Sequence, residues 1–183
     1  MENKSGNSKK TGRTGKFLAM LFIIALAIAA VFAMESSPTL PTGNLVGNQT
    51  VSVDENMLFV YEISRYPTQV EISNATGKNI SLGFSLEPWN LNFGIVPTGG
   101  NLGKRFVSLQ NVAERPAKIQ LNAYGNISPM IVFSDNNFLL SREGIKPVEI
   151  VLATQKDTQL GNYSGEIDVI VKKPKYDFVQ RLL

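Results

Sequence analysis

An uninterrupted apolar run of 18 residues, from Phe17 to Met34, constrains this chain more than any other feature. As a helix rising 1.5 Å per residue it would be about 27 Å long, close to the hydrocarbon thickness of a bilayer. A helix in a globular core keeps polar residues on one face, and this run has none. The run therefore predicts a membrane-spanning segment. Its length favours a retained signal anchor, and Val31-Phe32-Ala33 keeps open the alternative of a cleaved signal peptide.

Charge is divided unevenly along the chain. Residues 1–16 carry five Lys or Arg residues and one Glu, whereas the remainder carries 13 basic and 14 acidic residues. Cations before a spanning segment keep the N-terminus in the cytoplasm. Residues 1–16 are therefore predicted to be a cytoplasmic basic tail and residues 17–34 a single transmembrane signal anchor in the cell membrane, with the rest extracytoplasmic. Because the basic excess is confined to the tail, no nucleic-acid partner is expected.

The exported part divides into a linker and a β-rich domain. Residues 35–56 are rich in Ser, Thr, Pro, Gly and Asn, a composition that predicts a stalk. From Met57 apolar residues recur at every second position, which predicts strands in "ISLGFSL", "KRFVSLQN", "AKIQLNAYG", "PVEIVLAT" and "EIDVIVKK". Turn signals separate these runs, among them Tyr66-Pro67 and Ser141-Arg142-Glu143-Gly144. Eight to ten such strands predict an all-β sandwich of the immunoglobulin-like type over residues 57–183, with a closed barrel as the less favoured packing.

Part of this domain resembles a known family. Residues 89–125 contain a strand with Leu91, Phe93 and Gly94, a glycine turn, a strand that ends at Asn111, and a strand that opens at Pro116. This order resembles the Hydin-type (ASH) immunoglobulin-like domains, and "LGNYSGEIDVIV" looks like the last hairpin of many surface domains of this class, so that the resemblance extends over about residues 89–171. It implies an immunoglobulin-like fold, a binding or scaffolding role, and a hydroxyl of Tyr163 that bonds to nearby backbone.

Five Asn-x-Ser/Thr sequons follow the apolar run. They are candidate N-glycosylation sites on the predicted extracytoplasmic side: Asn48, Asn74, Asn79, Asn126 and Asn162. Asn and Ser/Thr are also ordinary turn residues, which is the alternative reading. A glycosylated exported protein without cysteine would suit an archaeal type of cell surface.

Catalysis and metal binding have little support in the sequence. The chain has no His and no Cys, which removes the commonest general base, the thiol nucleophile and the usual transition-metal ligands. Its carboxylates are scattered, and Asp135-Asn136-Asn137 lacks the ligand spacing of a calcium loop. Lone Trp89 is expected to be a core residue, and a carbohydrate-binding platform is the less favoured alternative. No catalytic residue, cofactor, metal or small-molecule substrate is therefore expected, and an enzyme is not predicted.

The C-terminal "KKPKYDFVQRLL" is more apolar than a solvated tail requires. It is predicted to pack on its own domain, with contact to a partner or a frayed end as the alternatives. The candidate partner contacts are Tyr176, Phe178, Val179, Leu182 and Leu183.

Together these features predict a non-enzymatic, membrane-anchored surface protein. Its immunoglobulin-like domain would bind or scaffold another envelope component or a subunit of a membrane complex. The alternative is a filament or pilus-type subunit that polymerises after signal cleavage by donating a strand, with "NQTVSVDEN" or the C-terminal segment filling a groove in its neighbour.

Overall fold

The computed structural model describes residues 12–33, 46–74 and 90–183, and within the first of these ranges it describes the side chains of residues 17–28. Residues 12–33 form helix α1 (Gly12–Ala33). All of its described side chains are exposed. Among the residues described here, no helix combines the length and the hydropathy needed to cross a membrane. The chain divides into two compact units, the first ending at Thr39 and the second beginning at Leu40.

Over residues 46–74 and 90–183, the second unit contains nine β-strands, within the range that period-two alternation predicts. The strands are β1 (Thr50–Glu55), β2 (Phe59–Ser73), β3 (Leu91–Pro97), β4 (Leu102–Gln110), β5 (Ala117–Gly125), β6 (Ile131–Phe133), β7 (Phe138–Leu140), β8 (Ile145–Ala153) and β9 (Gly161–Pro174). Two short 3-10 helices, Ser128–Met130 and Asp177–Leu182, complete the described elements.

The strands form two sheets. The large sheet has six strands in the order β1-β2-β9-β5-β7, and β3 pairs in parallel with the second half of β2. The small sheet has the order β4-β8-β6, with both pairs antiparallel. The prediction of an all-β fold is confirmed, and the structure shows that the sheets are mostly antiparallel.

The main core lies between the two sheets. Val148, Ile150 and Leu152 of β8 have no exposed surface, since alternate residues of a strand point to one face. They pack against inward-facing residues of the large sheet, among them Val70, Ile72, Ile119, Leu121, Ile167 and Val169. Burial of these side chains is the main force that holds the sheets together.

A second, smaller core lies on the opposite face of the large sheet. Phe59, Tyr61 and Ile63 of β2 point away from the small sheet and are buried together with Ile170 of β9. The C-terminal 3-10 helix covers them with Val179, which has no exposed surface. The C-terminal segment therefore packs on its own domain.

Two boundaries differ from the sequence-based expectation. Residues 50–55, predicted as stalk, form β1 and pair with β2 from Thr50↔Arg65 to Glu55↔Val60. The predicted turn at Tyr66-Pro67 lies inside β2. On one side of β2, Pro67 lies opposite Glu166 of β9. On the other side, the pairing with β1 ends at Arg65 and the pairing with β3 begins at Thr68, so Pro67 has no partner strand there. Its missing N–H therefore breaks no ladder.

Other expectations have mixed outcomes. Tyr163 Oη donates a hydrogen bond to the carbonyl oxygen of Gln159 at 2.9 Å, which confirms the predicted contact with nearby backbone. The predicted turn at residues 141–144 is confirmed by a hydrogen bond from Gly144 N to Ser141 O. The predicted strand "ISLGFSL" and Trp89 lie outside the described residues.

Glycine permits one unusually close approach within the large sheet. A Cβ atom on Gly165 of β9 would lie 2.0 Å from the carbonyl oxygen of Tyr124 in β5. No real side chain tolerates that distance, so the β5–β9 contact requires glycine at this position.

Candidate protein-binding face

The side of the small sheet that points away from the core is the candidate site, and we call it the outer face of the small sheet. Its residues alternate along each strand with the core residues. They are Leu102, Lys104, Phe106, Ser108 and Gln110 of β4, Ile145, Pro147, Glu149, Val151 and Ala153 of β8, and Val132 of β6.

Most of this face is apolar and open to solvent. Leu102 is 58% exposed, Phe106 67%, Val132 56% and Ile145 63%. Single exposed apolar residues are ordinary on a protein surface, but a contiguous apolar patch on one sheet marks a site of contact with another macromolecule. Apolar residues with few charges are also what the centre of a protein interface contains.

One ion pair lies within the apolar face. Lys104 Nζ lies 2.6 Å from Glu149 Oε1, and the two side chains are 52% and 26% exposed. The strand register places Lys104 beside Val151 and Glu149 beside Phe106, so that the charges occupy opposite corners of a four-residue group. The outer-face positions therefore carry one charge of each sign.

The free edge of β4 is less open than this face. Within the described part of the chain β4 pairs only with β8. On the other side, Arg105 Nε donates a hydrogen bond at 2.7 Å to the carbonyl oxygen of Asn92 in β3, and the Arg105 guanidinium lies over the ring of Phe93, also in β3. A charged side chain laid across an edge hinders the addition of another strand. The face, rather than the edge, is the accessible binding surface of the small sheet.

The C-terminal candidate contacts separate into two groups. Val179 is buried in the second core and Leu183 packs against that core, so these two side chains serve the domain itself. Tyr176 and Phe178 are exposed, and their rings stack with centroids 5.5 Å apart and planes inclined by 12°. Leu182 is also exposed. Only these last three are open to a partner.

Three of the sequons lie at one end of the large sheet. Asn74 follows the last residue of β2, and Asn162 is the second residue of β9. Asn126 lies close by, since its Oδ1 accepts a hydrogen bond from Ser164 N at 2.7 Å. All three are exposed, as is Asn48 before β1. Asn79 lies outside the described residues. Among the described sequons none is on the outer face of the small sheet.

A buried polar cluster lies on the outward face of the large sheet, beyond the second core. Asp168 is 1% exposed and lies 3.7 Å from Arg65 Nε, and neither carboxylate oxygen has a hydrogen-bond partner. The pKa of Asp168 is raised to about 6, mainly by burial and also by the neighbouring Glu166 carboxylate, while Arg65 acts to lower it. Burial likewise raises the pKa of the nearby Tyr124 hydroxyl.

This cluster does not have the form of a catalytic site. Asp168 and Glu166 are adjacent on one face of β9, but both are almost fully buried, and Glu166 accepts a hydrogen bond from Val46 N at 3.1 Å. A glycosidase needs two carboxylates that face a substrate cleft. The part of the chain that the structure describes also contains no group of three or more acidic side chains that could hold a metal ion.

The Asp135-Asn136-Asn137 turn is used for structure. Asn136 Oδ1 accepts from Leu121 N at 2.7 Å, and its Nδ2 donates to Leu121 O at 2.8 Å, so the side chain continues the ladder of β5. Asp135 pairs with Lys146, and this hydrogen bond lowers the pKa of the carboxyl group. These polar atoms already have partners within the domain.

The outer face of the small sheet is the feature that sequence analysis missed. Alternation predicts the strands "KRFVSLQN" and "PVEIVLAT". It does not indicate that the residues of these strands that point away from the core form a binding surface. The sequence did contain one signal, because β8 has apolar residues on both of its faces. Val151 and Ala153 point outward, and Ile150 and Leu152 point into the core. A strand covered on one side only has polar residues on its other face. Comparison with protein-family models, curated proteins and solved structures finds no match to this chain.

Proposed function

We propose that this chain is a non-enzymatic, membrane-anchored surface protein whose immunoglobulin-like domain binds a protein component of the cell envelope. The observation that carries the proposal is the open apolar face formed by β4, β8 and β6. Leu102, Phe106, Val132 and Ile145 are each more than half exposed there. Covering them with a partner would remove apolar surface from water, which is the main driving force of protein association.

The anchor and the topology in this proposal rest on the sequence. The apolar run 17–34 and the cations before it support a spanning segment with the domain outside. The immunoglobulin-like assignment is supported by two packed, mostly antiparallel sheets and by the Tyr163 hydroxyl bound to backbone four residues upstream. The Hydin-type resemblance remains part of the proposal.

Strand donation has less support as a mechanism. Both segments that could fill a neighbour's groove are placed within their own domain. Thr50–Glu55 forms β1, and the C-terminal segment covers Phe59 and Tyr61 with Val179. A filament subunit of this kind would first have to release one of these contacts.

Crosslinking in intact cells tests the proposal. The full chain is expressed as wild type, as Phe106→Glu and as Phe178→Glu, a matched pair because the two aromatic residues are similarly exposed and lie on different candidate surfaces. We expect Phe106→Glu to abolish the crosslinked complexes of the wild type and Phe178→Glu to retain them. Unchanged complexes with Phe106→Glu, at equal thermal stability of all three proteins, would refute binding through this face.

A further inference from the structure

We propose that the partner on the outer face of the small sheet is a second copy of this chain, packed face to face about a two-fold axis. The inference rests on the proposed function, since it names the occupant of the same surface. It goes further by fixing the symmetry of the contact and the residues that meet across it.

The charges on this face are self-complementary. Lys104 and Glu149 are the two ionisable residues among the outer-face positions of β4, β6 and β8, and they lie 2.6 Å apart within the apolar area. A partner surface that is strongly positive or strongly negative would not be electrostatically complementary to a face that carries one charge of each sign. A second copy offers the complementary arrangement, because a two-fold interface places the same patch on both subunits.

The strand register gives the position of the axis. Lys104 lies opposite Val151 and Phe106 lies opposite Glu149, so these four side chains stand at the corners of a near rectangle. Residues two apart on a strand are separated by about 6.8 Å, and neighbouring strands by about 4.8 Å. A two-fold axis in the interface, along the diagonal from Phe106 to Val151, brings Lys104 of each copy close to the position that faces Glu149 of the other copy. Each lysine then faces the glutamate of the second copy.

The same axis places apolar residues against apolar residues. Phe106 and Val151 each meet their own counterparts beside the axis, and Leu102 of one copy faces Val132 of the other. Two β-sheets packed face to face are about 10 Å apart, which suits side chains of this size. The described sequons lie elsewhere, so attached glycans at those positions would leave this contact open.

Charge exchange tests the symmetry. The full chain in mild detergent is compared as wild type, Lys104→Glu, Glu149→Lys and an equimolar mixture of the two variants, with the mass measured by analytical ultracentrifugation. In either variant alone both cross-copy contacts pair like charges, and we expect self-association to weaken by about tenfold or more. In the mixture every contact pairs opposite charges, and we expect a heterodimer of wild-type strength.

A second measurement does not depend on charge. Because the chain has no cysteine, Phe106→Cys introduces a single thiol. A short bismaleimide is expected to link two copies through Phe106→Cys and to leave Phe178→Cys, an exposed position on the C-terminal segment, as monomer. Variants of both series are used only where thermal unfolding matches the wild type.

The outcomes separate this inference from the proposed function. A wild type that stays monomeric at all concentrations, or dimers that both single charge variants retain, would overturn the proposed two-fold contact between copies. A mixture that fails to restore association would do the same. If Phe106→Glu still abolishes a crosslinked complex in cells under any of these outcomes, the binding face stands and its partner is a different protein.

Discussion

The two sheets of the domain each carry apolar residues on the face turned away from the sandwich, and the two faces differ in what covers them. On the large sheet, Phe59 and Tyr61 are buried beneath Val179 of the C-terminal segment. On the small sheet, Phe106 and Ile145 remain open. An outward-facing aromatic residue is therefore part of the core in one place and part of a contact surface in the other. The difference depends on whether the chain supplies its own cover.

The largest expected effect comes from truncating an aromatic side chain on each face. Phe59→Ala removes a side chain with no exposed surface and leaves a cavity, which should lower the free energy of unfolding by about 3–4 kcal/mol. Phe106→Ala should change it by less than about 0.5 kcal/mol, since its ring is mostly solvated in the single chain. Denaturant unfolding in dilute solution measures both, and equal losses would contradict the distinction between a covered and an open face.

The C-terminal cover provides a comparison between adjacent residues. Val179→Ala should destabilise the domain by about 2 kcal/mol, because it removes buried apolar groups from above Phe59. Phe178→Ala should be nearly neutral, since this ring is 74% exposed. The same unfolding experiment applies, with hydrogen exchange of β2 as a second readout. A neutral Val179→Ala would show that the segment does not stabilise the large sheet.

The smallest expected effect concerns the polar part of the large sheet's outward face. Asp168 has a pKa raised from 3.8 to about 6, mainly by burial, so the folded state holds its proton more tightly than the unfolded state. Its contribution to stability is present below pH 3.8 and is lost as the pH rises to about 6. Asp168→Asn should therefore raise stability at pH 8 by about 1–2 kcal/mol, the loss of Arg65's partner reducing the gain.

Asp177→Asn is the control for this effect. A hydrogen bond from Arg115 lowers the pKa of Asp177, so its removal should reduce stability at pH 8 rather than raise it. Unfolding measured from pH 3 to pH 8 gives both signs. A loss of stability in Asp168→Asn at pH 8 would mean that Arg65 compensates fully for the burial of the carboxylate.

Much of the fold was predictable because alternation is a local signal. β5 occupies the predicted "AKIQLNAYG", and the cores of β8 and β9 match "PVEIVLAT" and "EIDVIVKK". The misses came from contacts that are distant in sequence. Thr50–Glu55 has a polar composition, and it is a strand because β2 pairs with it. Tyr66-Pro67 has the sequence of a turn, but it lies within β2 because the proline falls between the segments that pair with β1 and with β3.

The candidate site was less predictable than the strands that form it. The sequence marked Tyr176, Phe178, Val179, Leu182 and Leu183 as one apolar group, and packing divides them. The sequence did not predict the ion pair between Lys104 and Glu149. The two residues are 45 positions apart, and only the pairing of β4 with β8 brings them together.

The amino-acid sequence by itself determined an all-β domain and the positions of β5, β8 and β9. These features follow from periodicity and turn chemistry, which act over a few residues. Tertiary structure alone decided which outward apolar residues are covered and which are open. Whether an outward apolar residue is covered depends on where a distant part of the chain packs. Val179 covers Phe59 although the two residues are more than a hundred positions apart in the sequence.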